Sequence, residues 1–182
     1  MKAHHVLLTA VADLEQTAAL RVFVIGDGPD ARALRAQARH LAHVDVVGHV
    51  DHAAIVRYLH AADIFALTSV DLPGVREGTP TALLEAMACR LPVVCTDAGG
   101  LRHAVRDAEN GLIVQQGDAA GLRAALIHLS RRPDTRRLFG ERNAERAQER
   151  AWARVTEQVA AFYAVVRATH PTPATAVGGK AW

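Results

Sequence analysis

The chain has 182 residues, of which 50% are hydrophobic, 21 are Lys or Arg and 19 are Asp or Glu. This length favours a single domain, and the hydrophobic share is enough to build a core. The near balance of charge gives no basis for binding nucleic acid. No apolar run approaches the roughly 20 residues that span a bilayer, so we expect no integral membrane segment.

The cysteines and histidines do not indicate a metal site. Cys89 and Cys95 lack the spacing of a metal or redox motif, and we expect both to be reduced and packed. Reduced thiols favour a cytoplasmic protein, with a peripheral membrane location as the alternative. Residues 6–12 resemble the core of a signal peptide, but their apolar spacing favours one face of an amphipathic helix over residues 3–18.

Strands and helices alternate along the chain. The predicted strands are 22–25, 44–47, 64–67, 93–96 and 112–114. The predicted helices after the first are 30–42, 51–61, 80–90, 101–107, one from Asp118, one from Pro133, and 151–167. Strands that alternate with helices predict an α/β fold with a doubly wound, Rossmann-like parallel sheet. Residues 168–182 are expected to form a disordered tail.

The segment 77–100 carries the clearest functional pattern. Its predicted helix is apolar except for one acid, Glu85, and a second acid, Glu77, lies in the loop before it. Thr79 is the predicted N-cap, and Pro80 fits the first turn. Eight residues of helix rise about 12 Å, which is too far for a glycosidase carboxylate pair but suits two acids that hold the ends of one extended ligand.

A phosphate would fit between these two acids. The free N–H groups at the start of a helix form a natural anion site. A sugar, a diphosphate and a ribose could then lie along the segment. The alternative is structural, with Glu77 a solvated loop acid and Glu85 a capped or paired acid of the core. The spacing is compatible with both interpretations.

These residues resemble the Glu-x7-Glu signature of the retaining, nucleotide-sugar-dependent glycosyltransferases of family 4, which have the GT-B fold. The similarity extends over roughly residues 2–166 and is also clear at 24–29, 47–50, 61–67 and 110–118. The resemblance implies that residues 1–167 are the donor-binding domain, the C-terminal half of a GT-B enzyme, with its first strand missing. Such an enzyme transfers a sugar from a UDP- or GDP-sugar to an acceptor with retention.

The resemblance also implies roles for individual residues. Glu77 would be the catalytic residue that contacts the donor sugar hydroxyls, and Glu85 would accept hydrogen bonds from the ribose. The other implied donor-binding residues are Gly78, Thr79 and Pro80 near the phosphates, His49 and Val50 near the base, Gly26 and Gly28 beside the cleft, and Lys2 in a phosphate clamp. No cofactor or metal is implied, because the helix dipole and cationic side chains would stabilise the leaving diphosphate.

The sequence departs from the family pattern in ways that bear on activity. Arg90 stands where the family has the Gly that ends the helix in a left-handed conformation. The clamp Arg that precedes Lys2 in the family has no counterpart. The acceptor-binding half of the family's enzymes has no counterpart in this sequence either. The expected partners are therefore the nucleotide-sugar donor and an acceptor domain or partner chain. The alternatives are a catalytically inactive nucleotide-sugar-binding module or subunit, and an interaction domain on the same fold.

Two glycine pairs have a structural and a functional interpretation. Gly26-x-Gly28 after a strand resembles a dinucleotide fingerprint with Asp45 as the ribose-binding acid, but a tight strand-to-helix turn also explains it. Gly99 and Gly100 precede a short helix, where they either bring backbone N–H groups close to a phosphate or form a plain turn.

Overall fold

The computed structural model describes residues 2–12, 14, 20–74 and 78–169. Its strands are β1 (Val22–Ile25), β2 (Val44–Gly48), β3 (Phe65–Leu67), β4 (Val93–Thr96) and β5 (Gly111–Val114). Its helices are α1 (His4–Val11), α2 (Ala31–Ala38), α3 (His52–Ala61), α4 (Thr81–Ala88), α5 (Leu101–Ala104), α6 (Ala119–Ser130), α7 (Pro133–Glu149) and α8 (Trp152–Thr169). The alternation confirms the predicted α/β class. None of the helices in these ranges combines the length and apolarity needed to span a bilayer.

The strands pair in parallel but form two sheets. β1 pairs with β2, with Val22 opposite Val44. β4 lies between β3 and β5, and Val93 is opposite both Phe65 and Gly111. Among the described residues β1 and β3 do not pair with each other. The predicted parallel arrangement is therefore confirmed, while the sheet is interrupted between β1 and β3.

Residues 1–147 form one compact unit, in which α1 packs against α2 and α6. The apolar face predicted for α1 is buried, with Ala10 and Val11 fully inaccessible. The helix ends at Val11, well before the predicted residue 18. Arg123 of α6 donates hydrogen bonds to the carbonyl oxygens of Ala10 and Thr9, at 2.9 and 3.3 Å. Arg123 thus supplies donors to two carbonyl groups in the last turn of α1.

A second part of the core lies between α4, β4 and α5. Leu83 and Met87 of α4 and Cys95 of β4 are fully buried there. Burial raises the pKa of the Cys95 thiol to about 12. Burial, and then the nearby Glu85 carboxylate, also raise the pKa of Cys89, which is partly buried. Neither cysteine forms a disulfide, and the packing agrees with the prediction of two reduced thiols.

Two buried asparagines join α7 to the rest of this unit. The side chain of Asn143 donates to the carbonyl oxygens of Leu91 and Asn110, at 2.7 and 2.9 Å. Asn110 in turn donates to the Asn143 side chain at 2.6 Å and to the Ala104 carbonyl at 3.1 Å, and it accepts from the Arg106 N–H at 2.7 Å. These bonds close the loop behind α5, which therefore ends at Ala104 rather than at the predicted residue 107.

The backbone after α4 is strained, because Arg90 has φ of 60°, in the left-handed region. A Cβ at Gly140 of α7 would overlap the Arg90 carbonyl oxygen, so α7 crosses this turn in close contact.

We expect Arg90→Gly to raise the free energy of unfolding by about 1 kcal/mol, because glycine adopts a positive φ without the steric cost of a Cβ. Thermal unfolding measures the change. The control is Arg90→Ala, which removes the guanidinium but keeps the Cβ and should give no gain. A lower melting temperature for the glycine variant would contradict the expectation and show that the Arg90 side chain makes a stabilising contact.

Stability should also depend on pH through His4, at the start of α1. Burial, followed by the charge of Lys2, lowers the pKa of His4 below its usual 6.5. The unfolded chain therefore binds the His4 proton more readily than the folded chain does. The free energy of unfolding should fall as the pH drops through about 6.5. Urea unfolding at about pH 7.5 and 5.5 should show a smaller loss for His4→Gln than for the wild type. The exposed neighbour His5, changed to Gln, is the control; an equal effect of both variants would contradict a specific role for His4.

The described residues from 148 to 169 belong to a second unit. Its helix α8 confirms the helix predicted over 151–167. Trp152, Phe162 and Tyr163 are exposed on it, and the last two rings are 6.3 Å apart. Of the predicted tail, residues 168 and 169 belong to α8, and residues 170–182 lie outside the described residues.

Candidate functional site

Most of the predicted site residues lie where the parallel strands end. Gly26 and Gly28 follow β1, His49 and Val50 follow β2, and Lys2 lies beside the residues that follow β3. The Lys2 Nζ donates to the Ser69 hydroxyl at 3.3 Å. Carboxyl ends of parallel strands meet at one edge of a doubly wound fold, and that edge is where such folds bind ligands. The fold thus gathers residues that are far apart in the sequence.

The loop before α4 packs against the glycine turn after β4. A Cβ on Gly100 would lie 2.8 Å from the carbonyl carbon of Gly78 and 3.2 Å from the Thr79 nitrogen. The Thr79 hydroxyl donates to the Gly100 carbonyl at 3.4 Å. The predicted N-cap role of Thr79 is therefore wrong. Pro80 occupies the N-cap position, without a side-chain cap bond, and α4 begins at Thr81.

This arrangement leaves the start of α4 without a side-chain cap, although the Leu83 N–H donates to the Pro80 carbonyl at 3.0 Å. A proline N-cap has no side-chain group that could bind the N–H groups of the first turn. These N–H groups and the positive end of the helix dipole attract an anion. Gly78 and Thr79 are exposed beside them.

Glu85 lies one turn further along α4 and faces the start of α3. Its side chain is 30% exposed, and its Oε1 lies 3.9 Å from Nδ1 of His52. This distance is too long for a hydrogen bond. His52 directly follows Asp51, which caps α3 by accepting from the Ala54 N–H at 2.6 Å. Glu85 is thus a half-buried acid near the loop that contains His49 and Val50, and not a fully buried acid of the core.

The remaining sequence predictions have different outcomes. Glu77, the predicted catalytic residue, lies outside the described residues. Gly26 has φ of 123°, as a tight turn requires, and its N–H continues the pairing of β1 with β2 by donating to the Gly48 carbonyl at 2.8 Å. Asp45, the acid of the dinucleotide alternative, lies on β2 and accepts from the exposed Arg21, just before β1, at 2.9 Å. The structure therefore favours the strand-to-helix turn over the dinucleotide fingerprint. Among the described residues no three His, Cys, Asp or Glu side chains cluster as a metal site would require.

Comparison with known families agrees with this geometry. Residues 1–146 match the family model of glycosyl transferases, group 1. The chain belongs to the group 1 glycosyl transferases.

Relatives of this glycosyl transferase chain are considerably longer. Phosphatidyl-myo-inositol mannosyltransferase of Mycobacterium leprae is 32% identical over 148 residues, which are 81% of this chain and 38% of the relative. D-inositol 3-phosphate glycosyltransferase of Saccharomonospora viridis is 32% identical over 177 residues, 90% of this chain and 40% of the relative. The chain thus spans about two fifths of these proteins.

Solved structures show the same fold. Sucrose-phosphate synthase of Thermosynechococcus elongatus superposes with a TM-score of 0.76 at 26% identity, over 92% of this chain and 43% of that one. Anabaena Alr3699/HepE, solved in complex with UDP, superposes with a TM-score of 0.75 at 23% identity, over 90% of this chain and 45% of that one. The domain is therefore the C-terminal, Rossmann-like half of a GT-B fold.

Two residues that support the candidate site were not predicted from the sequence. Asp71 accepts from the Gly99 N–H at 3.0 Å and donates its own N–H to Gln116 at 2.9 Å. Gln116 also donates to the Asp97 carbonyl at 2.6 Å. The two side chains fix the glycine turn on which the Gly78 loop rests. The length of the loop over 68–78 was the one sequence signal that pointed to Asp71.

Proposed function

We propose that this chain binds the nucleotide-sugar donor, UDP- or GDP-linked, of a retaining, family-4-like glycosyltransferase. The observation that carries the proposal is the open start of α4 with Glu85 about one turn further along the same helix. An anion site and a carboxylate so placed suit the diphosphate and the ribose of one extended ligand. The UDP complex of the related fold supports the same ligand class.

In this proposal each part of the donor has its own contacts. The diphosphate lies over the first turn of α4, beside Gly78 and Thr79. The ribose hydroxyls donate to Glu85, about 6 Å further along the helix axis. The base extends to His49 and Val50, because their loop precedes the helix whose His52 faces Glu85.

The same contacts would assist transfer. When the bond between the anomeric carbon and the diphosphate oxygen breaks, negative charge grows on the diphosphate. The α4 dipole then stabilises this charge more strongly than it stabilises the bound donor. Lys2 adds a cation at the same edge, and Glu77 would orient the sugar through its hydroxyls. No metal or cofactor takes part in the proposed mechanism.

The acceptor would bind to polypeptide beyond this chain. The chain spans only 38% of its relative, the phosphatidyl-myo-inositol mannosyltransferase. We therefore propose that an acceptor domain or partner chain completes the site. The same coverage favours one alternative, a nucleotide-sugar-binding subunit without activity of its own.

Isothermal titration calorimetry tests this proposal through Glu77. The wild-type chain should bind UDP-glucose or GDP-mannose more tightly than the matching nucleoside diphosphate, because the sugar adds its own hydrogen bonds. Glu77→Ala should remove most of that difference, about 1.5–3 kcal/mol, and leave the bare diphosphate affinity nearly unchanged. Glu141→Ala, an exposed change on α7, is the control. No binding of any of these nucleotides to the folded wild type would refute the proposal.

A further inference from the structure

A guanidinium reaches the carboxyl edge of the sheet beside the loop that follows β2. Arg35 lies in the last turn of α2, and its Nη2 lies 2.9 Å from the point where a Cβ on Gly48 would be. Gly48 is the last residue of β2. Long side chains on a helix lean toward its N-terminus, and α2 begins at the carboxyl edge, after β1. The Arg35 side chain therefore extends back to the edge where the donor is proposed to bind.

Glycine at position 48 makes room for this guanidinium. Gly48 has φ of 88°, in the left-handed region that favours glycine. A Cβ there would also meet the Arg35 Nη2 closer than ordinary contact allows. A side chain at position 48 would thus displace the guanidinium from the end of β2.

The Arg35 guanidinium has no partner among the described residues. It is exposed, and it forms neither a hydrogen bond nor an ion pair with any of them. Two acids of the same edge bind backbone groups instead. Asp27 accepts from the Gly28 N–H at 3.1 Å. Asp51 accepts from the Ala54 N–H at 2.6 Å. The five N–H donors of the guanidinium are therefore available to a ligand.

The loop after β2 offers backbone groups next to this cation. In the described part of the chain, the backbone N–H and C=O groups of His49 and Val50 bond to no other residue. His49 is exposed and Val50 is half-buried. A planar, polar group that lay against this loop would meet backbone donors and acceptors together with the Arg35 guanidinium.

The bases of the two proposed donors differ in what they offer a guanidinium. Guanine has two adjacent acceptors, O6 and N7, whose spacing matches two N–H groups of one arginine. Uracil has its O2 and O4 acceptors on either side of an N–H donor, so one guanidinium can donate to only one of them. Backbone groups can pair with either base, because each base has both donors and acceptors. The guanidinium is therefore the group at this loop that distinguishes the two.

We propose that Arg35 determines the base specificity of this site by donating two hydrogen bonds to O6 and N7 of guanine, which favours a GDP-sugar over a UDP-sugar. This inference rests on the proposed function and adds the identity of the base to it. Arg35 contacts the base and not the reacting atoms. An arginine that only covered Gly48 would not distinguish one base from another.

Isothermal titration calorimetry of the full chain with GDP, UDP and 7-deaza-GDP tests the proposal. In 7-deaza-GDP a C–H group replaces N7, so one of the two acceptors is lost. The wild type should bind GDP about tenfold or more tightly than UDP, the scale of one bidentate arginine–guanine pair. It should bind 7-deaza-GDP about fivefold or more weakly than GDP.

Arg35→Ala should bind GDP about tenfold or more weakly than the wild type and change the UDP affinity less than about twofold. The variant should no longer distinguish GDP from 7-deaza-GDP. Arg35→Lys keeps the positive charge without the planar pair of donors, so it should lose most of this distinction too. The matched control is Arg39→Ala, which removes the same charge at the other end of α2 and should leave all three affinities unchanged.

Three results would overturn the proposal. Equal losses of GDP and UDP affinity in Arg35→Ala would show that the guanidinium acts on the diphosphate or on the fold. Equal binding of GDP and 7-deaza-GDP by the wild type would exclude the contact with N7 without any variant. Equal binding of GDP and UDP by the wild type would refute base specificity and leave donor binding intact. If the folded wild type bound neither nucleotide, the proposed function would fail together with this inference.

Discussion

Replacing Glu85 with alanine is expected to weaken the binding of UDP or GDP by about 1.5–3 kcal/mol, the scale of a hydrogen bond to a charged group. That loss corresponds to roughly a 10- to 150-fold increase in Kd. The reason is that Glu85 is half-buried and lies beyond hydrogen-bond distance of the His52 imidazole, so its oxygens can accept from ribose hydroxyls. Isothermal titration calorimetry measures the change, with thermal unfolding to show that the variant is folded.

Two further variants make the Glu85 test specific. Glu85→Gln keeps one acceptor oxygen and should lose less affinity than Glu85→Ala. His52→Ala removes the neighbouring imidazole and should change the affinity little. If the His52 and Glu85 variants lose equal affinity, the pair acts by holding α3 to α4 and not by binding the ribose. Unchanged affinity in Glu85→Ala would remove this residue from the site.

Asn143→Ala is expected to lower the free energy of unfolding by about 3–5 kcal/mol. Asn143 and Asn110 have no solvent exposure. The substitution leaves the carbonyl oxygens of Leu91 and Asn110 without the side-chain donor that bonds them at 2.7 and 2.9 Å. Buried polar groups that lose a partner retain the cost of leaving water. Urea unfolding measures the effect.

Glu141 provides the matched control for Asn143, because it is an exposed residue on the same helix. Glu141→Ala should change stability by less than about 0.5 kcal/mol. If Asn143→Ala lowered the free energy of unfolding by no more than Glu141→Ala does, water would have entered and satisfied the two carbonyl groups. The asparagine pair would then guide the packing of α7 without adding much to stability.

Much of the fold could be predicted from local sequence patterns. Alternating apolar runs and turn residues gave the order of strands and helices, and the apolar spacing gave the buried face of α1. The Arg90 backbone was predictable too, because a helix that ends in a left-handed residue favours Gly there, and the structure places Arg90 at φ of 60°. The contrast between one acid and an apolar helix was the signal that indicated Glu85, and the role of this residue in donor binding stays a prediction.

Other features depended on contacts between distant residues. The sequence suggested Thr79 as an N-cap, but its hydroxyl binds Gly100, which is 21 positions away. The sequence analysis included Asn110 only in the 110–118 stretch that resembles the family, whereas the structure shows its side chain bonded to Asn143 across 33 positions. Such partners leave no local pattern, because hydrogen-bond choice depends on which groups the folded backbone brings within reach.

The sequence by itself determined the α/β class, the family and the acid on α4, because these depend on residue type and spacing within short segments. The tertiary structure decided that α4 begins without a side-chain cap, that Glu85 faces the start of α3, and that β1 and β3 border a gap. Each of these depends on how separate segments pack. The physical reason is that strand pairing and loop contacts are set by long-range burial and by the need of backbone groups for partners, which spacing along the chain does not encode.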